Sequence, residues 1–394
     1  MSLRLTTDYR VLQHISAFAL AWIAASYLFA YVLRPITIPQ PSPGYHIDTL
    51  GKGQEAVHNL LYLSNALRED QTIVLLGSSE LDPNFSRHFI PTNFFPQTHL
   101  SRVVSFGRAG FDTLGMYGLL DTLRPHLNTG SRLVIVLSPA WFRITDLWPR
   151  TFNEDFNDTV LLQLYLNDDP RSVFHDYLSG HQLEFNYMTP TQKMFLGDPS
   201  GMLDWNLPGF VVRTLNARAY AQREKLDMGL ASLAKPVDPG HYDAGNGSAL
   251  PWDEYEARAR QMELRAMAGN DMWVRNKYYR LYAKRRAAGY THYFLRHMNP
   301  EPEMNGLKLL LQLLKTSKVH ALFVMQPVNS RIYDDLTVFD SIDARIAGLC
   351  REYNMDYLDM YAAPLEPGVL GDGQHLGELG WERVDREITR YFRL

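Results

Sequence analysis

The sequence predicts an α/β fold, a doubly wound parallel sheet covered by helices on both faces, with a mostly helical insertion and one N-terminal transmembrane helix. Three observations predict it. Short apolar runs alternate with amphipathic helical stretches on either side of residues 141–300, as expected for strands buried on both faces and joined by crossover helices. Residues 141–300 break that rhythm with Trp, Tyr, Arg and Pro. Ile15 to Leu33 runs for 19 residues without a charge.

That uncharged run comes first. At 1.5 Å rise per residue it spans about 30 Å as a helix, the thickness of a bilayer core. Tyr27 and Tyr31 lie toward its far end, where aromatic rings favour the interface. A cleaved signal peptide has a shorter apolar region and a small-residue cleavage site, and no such site follows here. Residues 1–34 therefore read as a membrane anchor, with Arg4 and Arg10 before the span favouring a cytoplasmic N-terminus. Residues 35–53 follow as a proline-rich spacer, which would hold an extracytoplasmic domain off the membrane.

The α/β domain is expected over residues 54–140 and 301–394. A helix over 54–69 places Leu60, Leu61, Ser64 and Leu67 along one face. Strands follow at 72–76, 102–106 and 133–137, with a helix over 113–127 between the last two. After the insertion, whose strongest helical pattern covers 253–287, a leucine-rich helix over 303–317 leads to a strand at 320–325. A helix over 340–353, a strand at 355–360 and a closing helix over 378–393 complete the order.

At 394 residues with 46% hydrophobic and 21% charged residues, the chain has ample material for one large core. A net charge of −4 makes no case for nucleic-acid binding by the chain as a whole. One cysteine, Cys350, excludes an internal disulfide and a cysteine metal cluster. No HExxH, no other histidine pair at ligand spacing and no phosphate-binding glycine loop is present, so neither a metal nor a cofactor is expected. The stretch Lys277 to Arg296 is basic with interleaved tyrosines; it reads as a solvated amphipathic face or as a surface for lipid headgroups or an anionic polymer.

Ligands of an open parallel sheet bind beyond the carboxyl ends of its strands. The segments expected there are Gly77-Ser78-Ser79-Glu80, Gly107-Arg108-Ala109-Gly110, Ser138-Pro139-Ala140-Trp141, Gln326-Pro327-Val328-Asn329 and Asp372-Gly373-Gln374-His375. Each alone has a plain reading as a turn or a helix cap. Together they supply the parts of acyl transfer: a serine hydroxyl needs a base, and the base needs a carboxylate to set its tautomer. Ser79, His375 and Asp372 are the candidate catalytic residues, and Trp141 and Asn329 the candidate substrate contacts.

An early Ser and a late Asp-x-x-His resemble the SGNH hydrolases. That resemblance implies an SGNH-hydrolase-like sheet and assigns Ser79 as nucleophile, with an oxyanion hole from the backbone N–H groups of Ser79 and Gly107. The family's Gly-x-Asn-Asp block is replaced here by Ser138-Pro139-Ala140-Trp141-Phe142, which has no Asn donor. LLGSSEL (75–81), SPAWF (138–142), QPVNSRIYD (326–334) and DGQHLGELGW (372–381) look like the DltD family of D-alanyl transfer proteins. This second resemblance implies a single-pass cell-membrane protein acting in D-alanylation of teichoic acids. Its implied partners are a membrane acyltransferase and a D-alanyl carrier system. It implies an ester on Ser79 as intermediate. The residues are equally compatible with a carbohydrate O-acyl esterase or thioesterase, or with a non-catalytic partner of the acyltransferase.

Overall fold

The computed structural model describes residues 13–24, 44–51, 54–81, 88–143, 160, 250–288, 300–333 and 336–394. Its centre is a six-stranded, all-parallel sheet. In chain order the strands are β1 (Gly44–Ile47), β2 (Thr72–Leu76), β3 (Arg102–Phe106), β4 (Arg132–Leu137), β5 (Ala321–Met325) and β6 (Asp356–Asp359). They lie side by side as β1-β3-β2-β4-β5-β6. β2, β4 and β5 are apolar on both faces because both faces are covered. Val74, Leu76, Leu133, Ile135, Phe323 and Met325 enter one core. The alternate residues Ile73, Leu75, Val134, Val136, Leu322 and Val324 enter the other.

The first core is closed by α1 (Gln54–Arg68), α3 (Thr113–Thr122), α6 (Glu301–Thr316) and α7 (Thr337–Tyr353). α1 carries Glu55 in its first turn and Arg68 in its last, both favourable to the helix dipole. α3 is buried along its whole length and starts on Asp112, whose side chain accepts the Gly115 N–H at 2.9 Å. The opposite core is closed by α2 (Pro91–Thr98), α4 (Trp252–Ala266) and α8 (Glu378–Phe392). α5 (Asn276–Ala287) contributes Tyr278, Tyr279 and Tyr282 to a smaller cluster around Val274, Ile332 and Phe339.

The structure departs from the sequence reading at four places. β1 lies within the segment assigned to the spacer. Its four residues show one buried apolar side chain, Ile47, so pairing with β3 rather than any local pattern makes it a strand. α2 was not expected, because Pro91 and Pro96 mask its helical pattern; Pro91 occupies the first turn, where a missing N–H costs nothing. The helix expected over 113–127 stops at Thr122 and tightens into a 3₁₀ turn at Arg124–His126, around Pro125. The pattern over 253–287 is two helices. Between them Gly269 and Trp273 take positive φ, and the Asn270 side chain braces the turn, donating to Met267 O at 3.2 Å and accepting from Val274 N at 3.3 Å.

α4 also packs directly on α8 and on the sheet's second core, so this part of the segment read as an insertion completes the α/β layers. Residues 144–159, 161–249 and 289–299 of that segment, the last including the end of the basic-aromatic stretch, lie outside the described residues. Of the expected anchor, residues 13–24 are helical and present Ile15, Phe18, Leu20, Trp22 and Ile23 as exposed side chains; residues 1–12 and 25–34 lie outside the described residues. Among the described residues no helix is long and apolar enough to cross a membrane.

Candidate active site

β2 ends at Leu76, and the chain turns sharply through Gly77 and Ser78 into a single 3₁₀ turn, Ser79–Leu81. The turn is tight because two backbones meet there. A Cβ on Gly107 would lie 1.9 Å from the Gly77 carbonyl oxygen, and Gly107 has φ 152°. The two serines then have different duties. Ser78 is buried; its hydroxyl donates to the Arg108 carbonyl at 2.9 Å and accepts the Gly110 N–H at 3.1 Å, tying the β2 loop to the β3 loop. Ser79 is half-buried, and its Oγ lies 2.7 Å from His375 Nε2.

His375 Nδ1 lies 2.7 Å from Asp372 Oδ2. The other Asp372 oxygen, Oδ1, accepts the N–H groups of Gln374 and His375, each at 2.9 Å. Asp372 is only 4% exposed. Burial alone would raise its pKa, but the adjacent His375, its hydrogen bond and the two backbone N–H donors outweigh that and hold it below the ordinary aspartate value. An ionised Asp372 keeps the proton on Nδ1 and leaves Nε2 free to accept one from Ser79. Residues 296 positions apart in sequence thus meet in one chain of hydrogen-bond contacts.

The loop bearing Asp372 and His375 is held from below by the helices that sequence reading placed in the insertion. Gly371 donates to the His375 carbonyl at 2.8 Å, and the Gly371 carbonyl accepts the Arg275 N–H at 2.8 Å. Gly373 donates its N–H to the Tyr282 phenol oxygen at 3.1 Å. Arg275 forks onto Glu263, whose side chain is 1% exposed, and Glu263 also accepts the Glu378 N–H at 2.8 Å at the start of α8. Arg275, Tyr282 and Glu263 were not singled out in the sequence as site residues. Tyr282 lay within the basic-aromatic stretch, but nothing local in the sequence marks the other two.

Three sequence-expected roles change. The Gly107 N–H donates to the Ile47 carbonyl at 3.2 Å, extending the β1–β3 ladder, so it is spent on the fold rather than left for an oxyanion. Trp141 is 8% exposed and packs in the first core. Asn329 is fully buried; its amide donates to Met272 O at 2.8 Å, its oxygen accepts the Arg331 N–H at 2.9 Å, and its own N–H donates to Gly373 O at 3.0 Å. Both side chains are buried at the strand ends, Asn329 completely and Trp141 nearly so. The Ser79 N–H, at the start of its 3₁₀ turn, has no partner among the described residues. Among the described residues no group of three or more His, Cys, Asp or Glu could hold a metal ion.

A family model described as DltD protein matches residues 53–393. A Bacillus subtilis protein named Protein DltD is 22% identical over 358 residues, covering 84% of this chain and 86% of its own. A Lacticaseibacillus rhamnosus protein of the same name is 22% identical over 366 residues, covering 84% and 80%. A third, from Staphylococcus aureus, is 20% identical over 270 residues, 67% of each chain.

Proposed function

This chain belongs to the DltD family, and on that premise we propose that it is a membrane-anchored extracytoplasmic serine acyltransferase of SGNH type, moving D-alanyl groups onto a cell-envelope polymer through an ester on Ser79. The observation that carries the reading is the continuous Ser79–His375–Asp372 contact, 2.7 Å at each link. In the first half-reaction His375 Nε2 takes the Ser79 proton as Oγ attacks the carbonyl of the activated D-alanyl donor. The tetrahedral oxyanion faces the Ser79 N–H. The donor's leaving group departs with the proton from His375, leaving the D-alanyl ester on Ser79. In the second half-reaction His375 deprotonates a polymer hydroxyl, which attacks the ester; Ser79 recovers the proton and leaves. Asp372 stabilises the imidazolium in both halves.

The partners of this reading are a membrane acyltransferase, a D-alanyl carrier system and an anionic envelope polymer or lipid. The uncharged 15–33 run supports a single-pass cell-membrane location with the N-terminus cytoplasmic. A second reading, a non-catalytic partner of the acyltransferase, is favoured by one observation. The Gly107 N–H is committed to Ile47, which leaves the oxyanion hole a donor short, at a typical cost of about 10²–10³ in rate.

Treating the detergent-solubilised chain with a fluorophosphonate and mapping the adduct by mass spectrometry tests the reading. The expected result is a single adduct on Ser79, absent in Ser79→Ala and retained in Ser78→Ala. An unlabelled wild-type chain, or labelling that survives Ser79→Ala, would overturn it.

A further inference from the structure

A second carboxylate is buried in the turn that carries Ser79 and has no part in the Ser79–His375–Asp372 contacts. Glu80, next in sequence to Ser79, is 1% exposed, and its Oε1 accepts the Ser78 N–H at 2.5 Å. The side chain therefore folds back beneath the turn that presents Ser79. Its surroundings are sparse in charge. Among the described residues the titratable group acting on it is His375, from the loop before α8. From the end of β5 comes Gln326, a neutral side chain that is fully buried and borders Glu80, although neither of its amide atoms completes a well-formed hydrogen bond. Asp372 engages Nδ1 of His375, and Ser79 lies at Nε2.

We propose that Glu80 is a positioning residue of the active site, acting as a second carboxylate: it clamps the Ser78–Ser79 turn through the Ser78 N–H and, when ionised, stabilises the imidazolium formed at His375. This rests on the reading of Ser79 as nucleophile. The placement argues for it on physical grounds. A buried Glu that served only to satisfy one N–H could be replaced by the neutral, isosteric Gln at a gain, because no charge would then be desolvated. Keeping a carboxylate there, with a single buried amide beside it, is costly to the fold. Burial raises the Glu80 pKa to about 6, against the opposing pull of the Ser78 N–H, its own N–H and His375. A raised carboxyl pKa means that folding favours the protonated form, so Glu80 weakens the fold progressively as pH rises from its unfolded value through about 6. The ionised state is thus sustained against stability at the point where a positive charge forms during the reaction.

The two functions separate by substitution. Glu80→Gln keeps an oxygen for the Ser78 N–H and removes the charge; Glu80→Ala removes both. The assay is the rate of fluorophosphonate labelling of Ser79 in the detergent-solubilised full-length chain from pH 5 to 9, run beside thermal melts. Glu80→Gln should melt higher than wild type at pH 7 and label about tenfold more slowly, which corresponds to about one pKa unit of lost imidazolium support. The acid limb of its labelling profile should move to lower pH, because an imidazolium without that neighbour loses its proton more readily. If Glu80→Ala folds, it should be slower still; if it does not fold, Glu80→Gln alone decides. A Glu80→Gln chain that melts higher yet labels at the wild-type rate with an unmoved profile would overturn the proposal while leaving Ser79 as nucleophile. A wild-type chain that never labels at Ser79 would remove both.

Discussion

Replacing Arg275 by Met should test whether α4 and the start of α5 hold the Asp372–His375 loop. Arg275 is 14% exposed and forks onto Glu263, whose side chain is 1% exposed. Without it Glu263 keeps one donor, the Glu378 N–H at 2.8 Å, for a buried negative charge. Breaking a buried pair from one side costs about 3–5 kcal/mol, and the solvent that reaches Arg275 places this site near the lower end, at about 3 kcal/mol. Adding Glu263→Leu removes the orphaned charge and leaves only the Glu378 N–H unpaired, a cost of about 1–3 kcal/mol. The double variant should therefore be less destabilised than the sum of the two single variants by about 3 kcal/mol. Urea unfolding of the detergent-solubilised chain, followed by tryptophan fluorescence, measures all three. Activity should report the loop separately. In the fully folded Arg275→Met chain, Ser79 labelling should fall by about tenfold to a hundredfold, since displacing a catalytic group by 1 Å has costs of that order. A loss of under about 1 kcal/mol, or additive single and double variants, would refute the claim that this buried pair anchors the loop. Wild-type labelling in a destabilised variant would show that the pair serves the fold alone.

Asp372→Asn should keep the loop's shape but favour the wrong His375 tautomer, lowering Ser79 labelling by about 10⁴ as in comparable triads, with wild-type labelling counting against the relay. Because the folded-state pKa of Asp372 is depressed, its contribution to stability is present above the ordinary value of 3.8 and is lost as pH falls through the lower folded value. Urea midpoints measured from pH 3 to 7 should accordingly drop less steeply toward acid in Asp372→Asn. Asp385 behaves oppositely: it is fully buried with both oxygens unpartnered, and burial followed by Glu382 and Glu378 raises its pKa well above the ordinary value. It destabilises the fold as pH rises past the unfolded value, so Asp385→Asn should raise the melting temperature at pH 7; an unchanged or lower value would mean the site prefers the carboxyl. Asn329→Ala should cost about 2–4 kcal/mol by stranding buried backbone groups and opening a small void, while the KM for any acyl substrate stays put. A KM change without destabilisation would restore Asn329 as a substrate contact. Removal of residues 1–38 should release the chain from membranes into solution, and a truncated chain that still pellets with them would argue against a sole N-terminal anchor.

Much of the fold was legible along the chain because its information is local. β2, β4 and β5 are runs of apolar residues buried on both faces, and their neighbours α6, α7 and α8 show unbroken helical spacing. That Ser79, Asp372 and His375 come together was legible for a related reason. Strand ends of a parallel sheet converge, so residues far apart in sequence can be assigned to one edge before any contact is known. What could not be read depended on partners distant in sequence. β1 has almost no apolar pattern and exists because β3 offers it a ladder. Claiming the Gly107 N–H for Ile47 follows from that same pairing, and it removes the donor that a motif alone would assign to the oxyanion. Trp141 and Asn329 looked available because they follow strands, but whether a side chain after a strand turns outward or into the core depends on the volume left around it, and both are buried. Glu263 and Tyr282 belong to α4 and α5, and Arg275 caps α5; their place beside the Asp372–His375 loop depends on α4 packing on α8, which no local pattern shows. Periodicity and strand order are properties of neighbouring residues, and the sequence by itself determined them. Hydrogen-bond ownership and burial are settled by competition among all groups that reach one place, and only the tertiary structure decided that competition.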